Sequence, residues 1–134
     1  MEETPKELDW VNERAKCDIK KAFELLGEAV KKDIEQYKNL TGLRTHYHAD
    51  FLRDSEWLFS VSRRHNTPMF TAFNLKQDHI EITLQKRDSE QRLEAKPVFT
   101  ETGFCKFSID DNENGLLFQW QLRRHVLDLL MFGN

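Results

Sequence analysis

The sequence predicts an α+β fold in which helices cover one face of an antiparallel sheet. Apolar residues recur every three or four positions over residues 1–40, strand-like alternation follows over 55–120, and residues 121–132 form a short apolar helix. Four to six strands joined by short turns make an antiparallel meander, and its apolar face needs the cover that the helices supply. We expect residues 1–134 to form a single domain.

Composition narrows the class of protein. The 134 residues are 39% hydrophobic and include ten Phe, enough to build a core, while the net charge is only −3. No segment is strongly basic, so nucleic-acid binding is not expected. No run approaches the roughly 20 apolar residues that span a bilayer. The first ten residues lack the charged and apolar regions of a signal peptide, which predicts a soluble protein in the cytoplasm.

The N-terminal helix is predicted to begin at Thr4-Pro5, with Glu7 in its first turn, and to end near Asn39–Gly42. About 35 residues at 1.5 Å each would extend roughly 50 Å. A compact domain of this size is only about 36 Å across. Either the helix breaks near Gly27, or its end packs against something outside the monomer.

The sheet is predicted from alternating segments. Those segments are Glu56–Arg64, Met69–Lys76, His79–Arg87, Arg92–Thr100 and Phe104–Ile109. Gln77-Asp78 is a two-residue connection that predicts a hairpin. Pro97 predicts an edge position or a bulge, since proline cannot donate to a ladder. Residues 43–53 show no clear pattern, Asp110–Gly115 is a polar turn, and Leu116–Trp120 is either strand or the approach to a helix.

The C-terminal helix, Gln121–Phe132, has its main apolar stripe on Leu122, Val126, Leu129 and Leu130. Leu127, Met131 and Phe132 lie off that stripe, and a helix that is apolar nearly all round is either deeply buried or at an interface. With the long first helix, this pattern favours a protein partner and a homodimer formed through the N-terminal or C-terminal helix.

The two cysteines, Cys17 and Cys105, lie far apart and have no CxxC spacing. Because a cytoplasmic compartment keeps thiols reduced, we expect both to be buried free thiols, and the less favoured alternative is a disulfide between them.

A first candidate site is the segment Thr45–Asp50. In an extended chain His46, His48 and Asp50 point to one side, and such side chains are ligands for zinc. The segment resembles the HxHxD part of metallo-β-lactamase-like hydrolases. Phe51 stands where that family has its next histidine, and the chain is shorter than that two-sheet fold. The alternative is a polar linker with solvated histidines.

A second candidate site combines Asp78 with Glu94-Ala95-Lys96. This arrangement resembles the PD-(D/E)xK nuclease core, and the resemblance implies that Asp78 and Glu94 hold Mg²⁺ while Lys96 helps to activate water. Asp78 lies in a turn, however, and the family's parallel strand and crossover helix are not evident after Lys96. The alternative is a salt bridge across strands on a solvated face.

A third candidate consists of two similar triplets that begin with paired arginines. Arg63, Arg64, Arg123 and Arg124 could frame a groove for an anionic ligand. The alternative is that they are ordinary solvated arginines.

These patterns predict a small intracellular, non-catalytic binding protein that acts through protein–protein interaction, with an apolar or anionic ligand groove as a further feature. No GxSxG, phosphate-loop or Rossmann glycine pattern is present, and no cofactor is expected. The alternative is a metal-dependent hydrolase or nuclease that uses zinc at His46/His48/Asp50 or magnesium at Asp78/Glu94/Lys96.

Overall fold

A computed structural model describes residues 7–41, 49–63, 69–86 and 88–133 of the chain. Over these ranges the chain forms helix α1 (Trp10–Ala15), helix α2 (Ile19–Thr41), a seven-stranded antiparallel sheet and helix α3 (Gln119–Phe132). Helices α2 and α3 pack against the sheet around one shared core. The predicted α+β fold, with its N-terminal helix, meander and short C-terminal helix, is confirmed.

The N-terminal helical segment is divided in two, but not at Gly27. The break falls at residues 16–18, between α1 and α2. Asp9 caps the start of α1 by accepting from the Asn12 N–H at 3.3 Å, and Asp18, just before α2, accepts from the Lys21 N–H at 3.2 Å. Each aspartate satisfies an N–H group that has no partner inside its helix, so a new helix begins after each one. The predicted start at Thr4 lies outside the described residues.

Gly27 lies within the continuous helix α2 and has a packing role. A Cβ atom at this position would lie 3.2 Å from Phe59 Cε1, which is closer than ordinary van der Waals contact. The missing side chain therefore allows α2 to lie close against the sheet.

The sheet is a simple meander in which each strand pairs with the next along the chain. Its strands are β1 (Ala49–Ser55), β2 (Leu58–Arg63), β3 (Met69–Leu75), β4 (Ile80–Gln85), β5 (Glu90–Phe99), β6 (Cys105–Ile109) and β7 (Asn112–Leu117). The predicted hairpin is confirmed, because the Lys76 N–H donates to the His79 carbonyl across Gln77-Asp78 at 2.9 Å.

The sheet has seven strands rather than four to six, because both edge strands lie in segments without a strand pattern. Strand β1 lies partly in residues 43–53, and β7 occupies much of the predicted polar turn. The turn itself is only Asp110-Asp111, whose φ angles are 51° and 61°. Positive φ at both central residues is what a two-residue type I′ hairpin requires.

Pro97 lies in β5, an interior strand of the sheet, but at a position where β5 has a neighbour among the described strands on one side only. The pairing of β4 with β5 ends at Ile80 opposite Ala95, whereas the pairing of β5 with β6 continues through Pro97 opposite Phe107. Strand β5 therefore extends past β4 at this point, and a residue at position 97 needs no hydrogen-bond partner on that side.

The core fills the space between the helices and one face of the sheet. Its buried side chains from the two helices are Ala22, Phe23, Leu26, Val30, Ile34, Tyr37, Leu122, Val126, Leu127, Leu130 and Met131. Leu127 and Met131 are only 2% and 8% exposed, so of the two alternatives, deep burial or an interface, deep burial holds for these two residues. Leu129, assigned to the buried stripe, is exposed instead.

Cys17 and Cys105 form a disulfide, so the prediction of two free thiols is wrong. Their Cα atoms lie 5.4 Å apart although 88 residues separate them in sequence. The bond joins the segment between α1 and α2 to the start of β6. None of the residues of α1 is buried, so the disulfide just past its end and the Arg14 guanidinium over the Phe99 ring, 5.7 Å from the centroid, both link this part of the chain to the sheet.

Hydrogen bonds from the sheet hold α3. Arg63, only 3% exposed, donates from Nη1 to the carbonyls of Leu130 and Gly133. The Thr71 hydroxyl donates to the Val126 carbonyl at 3.2 Å. The last carbonyls of a helix have no partner within it, so a buried guanidinium is a strong substitute.

Candidate protein-binding site

An open groove of about 360 Å³ runs along the outer surface between α2 and α3. We call it the α2–α3 groove. Its lining residues are Asp33, Gln36, Tyr37, Leu40, Trp120, Arg123, Arg124, Leu127, Asp128, Met131 and Phe132. The surface is mainly apolar, with charged groups placed among the apolar side chains. Such a composition is typical of interaction sites rather than of ordinary solvated surface.

An ion pair joins the two helices beside the groove. Arg123 Nη1 lies 2.7 Å from Asp33 Oδ1 and 3.5 Å from the Ala29 carbonyl oxygen. Both side chains are mostly buried. The Arg123 guanidinium therefore acts mainly to fix α3 against α2, and it is not available in the way that a free anion-binding arginine would be.

Large apolar side chains around the groove are exposed. Leu40 is 76% exposed, Trp120 53% and Phe132 63%. The Phe132 ring makes an edge-on contact with Tyr37, with ring centroids 5.3 Å apart. Phe132 is thus oriented by the core while most of its surface remains in solvent. This arrangement suits an anchor residue for a partner, because part of the ordering cost is already met within the monomer.

A second depression lies on the opposite side of α3, toward β7. It is lined by Leu117, Trp120, Gln121, Arg124, His125, Asp128 and Leu129. Trp120 borders both depressions, so it stands on a ridge between two grooves. A partner could therefore bury Trp120 from both sides. Tryptophan and arginine are the residue types most enriched among the energetic centres of protein interfaces.

The four predicted anion-binding arginines do not surround one groove. Arg123 and Arg124 both line the α2–α3 groove, whereas Arg63 donates to the C-terminal carbonyls of α3. Arg64 lies outside the described residues. Of the three described arginines, Arg124 alone has an exposed side chain that is not engaged in holding a helix. The sequence predicted an apolar or anionic ligand groove but did not indicate which helices or strands would line it.

The predicted zinc site is only partly described. His46 and His48 lie outside the described residues, while Asp50 is the second residue of β1 and forms an ion pair with Lys38 at 3.3 Å. Within residues 7–41, 49–63, 69–86 and 88–133, no three His, Cys, Asp or Glu side chains are grouped so that they could hold a metal ion.

Asp78, Glu94 and Lys96 come together at one end of the outer sheet face, linked by residues that the sequence did not single out. His79 Nδ1 lies 2.7 Å from Asp78 Oδ1, and its Nε2 lies 3.8 Å from Glu94 Oε1. Lys96 Nζ lies 2.9 Å from Asp111 Oδ1. Exposed salt bridges of this kind are what the alternative interpretation of the motif expects, and the nuclease interpretation stays a prediction.

Hydrogen bonds and charges in this network shift the pKa values of Asp78 and Lys96. The hydrogen bond from His79 lowers the pKa of Asp78 below its usual value, and the nearby Lys96 ammonium adds to the effect. The hydrogen bond to Asp111 and the charge of its carboxylate raise the pKa of Lys96. Both shifts favour the charged forms, so neither group is adjusted toward proton transfer near neutral pH.

Sequence reasoning missed three of the exposed apolar residues: Leu40, Trp120 and Leu129. One signal could have found Trp120, because Trp120, Arg124, Asp128 and Phe132 recur at intervals of four along α3. Leu40 and Leu129 carry no such signal, since their exposure depends on where the sheet ends beneath each helix.

Comparisons with protein-family models, with curated proteins and with solved structures find no match for this chain. In the described part of the chain, no helix has the length and apolar character needed to cross a membrane. The arrangement of residues at the site is therefore the basis for any functional inference.

Proposed function

We propose that this chain is a non-catalytic protein-interaction module that binds its partner through the exposed side of α3 and the α2–α3 groove. The observation that carries the proposal is the exposure of Leu40, Trp120 and Phe132 around one groove. Contiguous exposed apolar surface with charged residues among it is a mark of protein interfaces in soluble domains.

The shape of the site favours a protein over a small molecule. Small-molecule sites are concave and enclose most of the ligand. Here Trp120 stands on a ridge between two open grooves, so a matching surface must reach both sides of α3. A groove or helix surface on another protein can do this, because ridges and grooves of helices interdigitate.

The test is site-specific photocrosslinking in cells that naturally contain the protein. A photoreactive phenylalanine analogue replaces Trp120, and in a control chain it replaces Trp57, which is 54% exposed in the β1–β2 turn. We expect discrete adducts from position 120 and none of the same mass from position 57. No adduct from position 120, or the same pattern from both positions, would contradict the proposal.

The contrasting proposal is a metal-dependent hydrolase or nuclease. What supports it is the approach of Asp78 and Glu94 to His79 at one end of the outer sheet face. Its test is a metal-dependent hydrolytic activity that Asp78→Asn and Glu94→Gln abolish while the fold remains intact. Equal activity in these variants and the parent protein would remove the nuclease version, and His46→Ala/His48→Ala tests the zinc version in the same way.

The cytoplasmic location stays a prediction. Disulfides form and persist mainly in oxidising compartments, so the Cys17–Cys105 bond favours such a compartment instead. Alkylation of free thiols at the moment of cell lysis, followed by mass measurement, would distinguish the two locations.

A further inference from the structure

The exposed side of α3 carries four residues in a row at intervals of four. These are Trp120, Arg124, Asp128 and Phe132, and we call them the α3 stripe. All four are exposed. Residues at i, i+4, i+8 and i+12 form one ridge along a helix, and when two helices pack, the ridges of one fit into the grooves of the other. The ridge is roughly 18 Å long at 1.5 Å per residue.

The order of side chains in the α3 stripe is complementary to its own reverse. Read forward it is aromatic, cation, anion, aromatic; read backward it is aromatic, anion, cation, aromatic. Consider two copies packed antiparallel, with a twofold axis at the midpoint of the stripe, between Arg124 and Asp128. This axis would place Trp120 of one copy beside Phe132 of the other. The same axis would place Arg124 beside Asp128 twice. Such self-complementarity is what the interface of a twofold dimer requires.

The two charges of the α3 stripe are not engaged elsewhere. In the part of the chain that the structure describes, neither Arg124 nor Asp128 forms an ion pair or a side-chain hydrogen bond, although Arg123 next to them pairs with Asp33. Within one helix, the order basic then acidic at i and i+4 is also the less favourable orientation. Both groups are therefore available for an ion pair with a second molecule.

The shape of the surface is self-complementary as well. The α3 stripe provides the protruding Trp120 and Phe132, and the adjoining α2–α3 groove provides a depression lined by Leu40 and other apolar side chains. In the antiparallel arrangement, Trp120 of one copy meets the end of the groove that holds Phe132 and Leu40 of the other. Each copy contributes both a ridge and a groove.

From this geometry we infer that the partner at this face is a second copy of the same chain, packed antiparallel through α3. The inference rests on the proposed function and names its partner. A contact centred on one short helix buries a small total surface area on the two copies together, below roughly 1,200 Å². The dimer is accordingly in equilibrium with monomer at micromolar concentrations.

The experiment measures mass in solution by sedimentation over about 1–500 µM of the full chain. We expect the parent protein to dimerise. Arg124→Asp places an acidic side chain opposite Asp128 at two positions, and Asp128→Arg places a basic side chain opposite Arg124 at two positions. Each variant alone should dimerise at least about tenfold more weakly, because like charges face each other across the contact.

The decisive step is to mix the two variants. The Arg124→Asp chain is acidic at both positions 124 and 128, and the Asp128→Arg chain is basic at both. In the mixed antiparallel dimer every acidic side chain of one chain therefore faces a basic side chain of the other, so two ion pairs form again. We expect the mixture to dimerise like the parent protein. The inference thus predicts two results together: each variant alone dimerises more weakly, and the mixture recovers. Neither a parallel packing of α3 nor a contact elsewhere on the surface predicts both results.

Arg92→Asp is the matched control. Arg92 is an exposed arginine on the outer sheet face, near Glu90 at 3.8 Å, and its reversal changes the net charge by the same amount as Arg124→Asp. It should leave dimerisation unchanged. Circular dichroism checks that every variant is folded. We expect all of them to fold, because Arg124 and Asp128 are exposed.

Three results would overturn the inference: a parent protein that stays monomeric at about 500 µM, a dimer that neither variant weakens, or two monomeric variants that fail to associate when mixed. Photocrosslinking at position 120 separates this failure from failure of the proposed function. An adduct with a different protein would keep the interaction module and exclude the second copy, whereas the absence of any adduct would remove both.

Discussion

Helices α2 and α3 cover the same sheet face but distribute their apolar residues differently. In α2 the apolar positions form one stripe that the sheet buries completely, from Ala22 to Tyr37, and among its described side chains only Leu40 near the end is a large exposed apolar group. In α3 the sheet and α2 bury one side, yet Trp120, Leu129 and Phe132 remain exposed on the other.

The difference shows that α3 carries more apolar surface than its own fold can bury. The apolar stripe of α2 is buried in the shared core, so fold stability accounts for it. The exposed residues of α3 bury little of their surface in the monomer's core, and of these the Phe132 ring contacts a core residue, Tyr37. The α2 stripe therefore serves stability, and the exposed side of α3 is the surface for which we propose a binding role.

The largest effect is expected on the α2 side, from loss of the disulfide that ties the start of α2 to β6. Cys17→Ser/Cys105→Ser opens a loop of 88 residues, and the chain-entropy model gives a loss of about 4.6 kcal/mol in the free energy of unfolding. Urea unfolding, compared with the parent protein in oxidised form, measures the loss. A change below about 1 kcal/mol would mean that the bond contributes little to the fold.

The next comparison uses one phenylalanine from each helix. Phe23 is fully buried, so Phe23→Ala should lower the free energy of unfolding by about 3–5 kcal/mol. Phe132→Ala should lower it by less than about 1 kcal/mol, because most of the ring is in solvent. Measured at low protein concentration, equal losses would show that α3 is as much a core helix as α2.

A third comparison uses two arginines at opposite sides of α3. Arg63→Met removes the buried donor to the Leu130 and Gly133 carbonyls, and we expect a loss of about 1–3 kcal/mol. Arg124→Met, on the exposed side, should change the free energy of unfolding by less than about 0.5 kcal/mol. The reverse order would show that Arg63 has no anchoring role and would return it to the candidates for anion binding.

The smallest effect is expected at the charged network on the outer sheet face. His79→Ala should raise the pKa of Asp78 toward its usual value of 3.8, since the hydrogen bond from His79 is the main cause of the lowering. Because the folded-state pKa of Asp78 is lowered, its contribution to stability is present above pH 3.8 and is lost as the pH falls through the folded-state pKa. Carboxyl chemical shifts measured by NMR follow the titration, and an unchanged pKa in His79→Ala would contradict this cause.

Local patterns predicted most of the fold. The alternation over Met69–Leu75 and Ile80–Gln85 and the stripe of α2 arise from one-sided burial, which imposes a period of two or 3.6 on the sequence. The edge strands β1 and β7 were missed because an edge strand is exposed on more sides, so the pattern is weak. The break before Ile19 was missed because Asp18 is an N-cap inside a continuous apolar stripe.

Features that depend on tertiary structure could not be predicted from the sequence. The Cys17–Cys105 pair depends on how the start of α2 lies against β6, and an 88-residue separation carries no local signal. Leu127 and Met131 are buried because α2 lies beside α3. The sequence placed the candidate interface on Leu127, Met131 and Phe132, and of these three residues the structure leaves Phe132 alone exposed.

The most direct test of the binding account is native mass spectrometry of the purified chain, measured with and without added Zn²⁺ or Mg²⁺. The account predicts a dimer of twice the monomer mass, free of metal, that Arg124→Asp converts to monomer and that added metal does not change. A monomer that takes up one metal ion, and loses it in a variant of His46/His48 or of Asp78/Glu94, would contradict the account and favour the hydrolase.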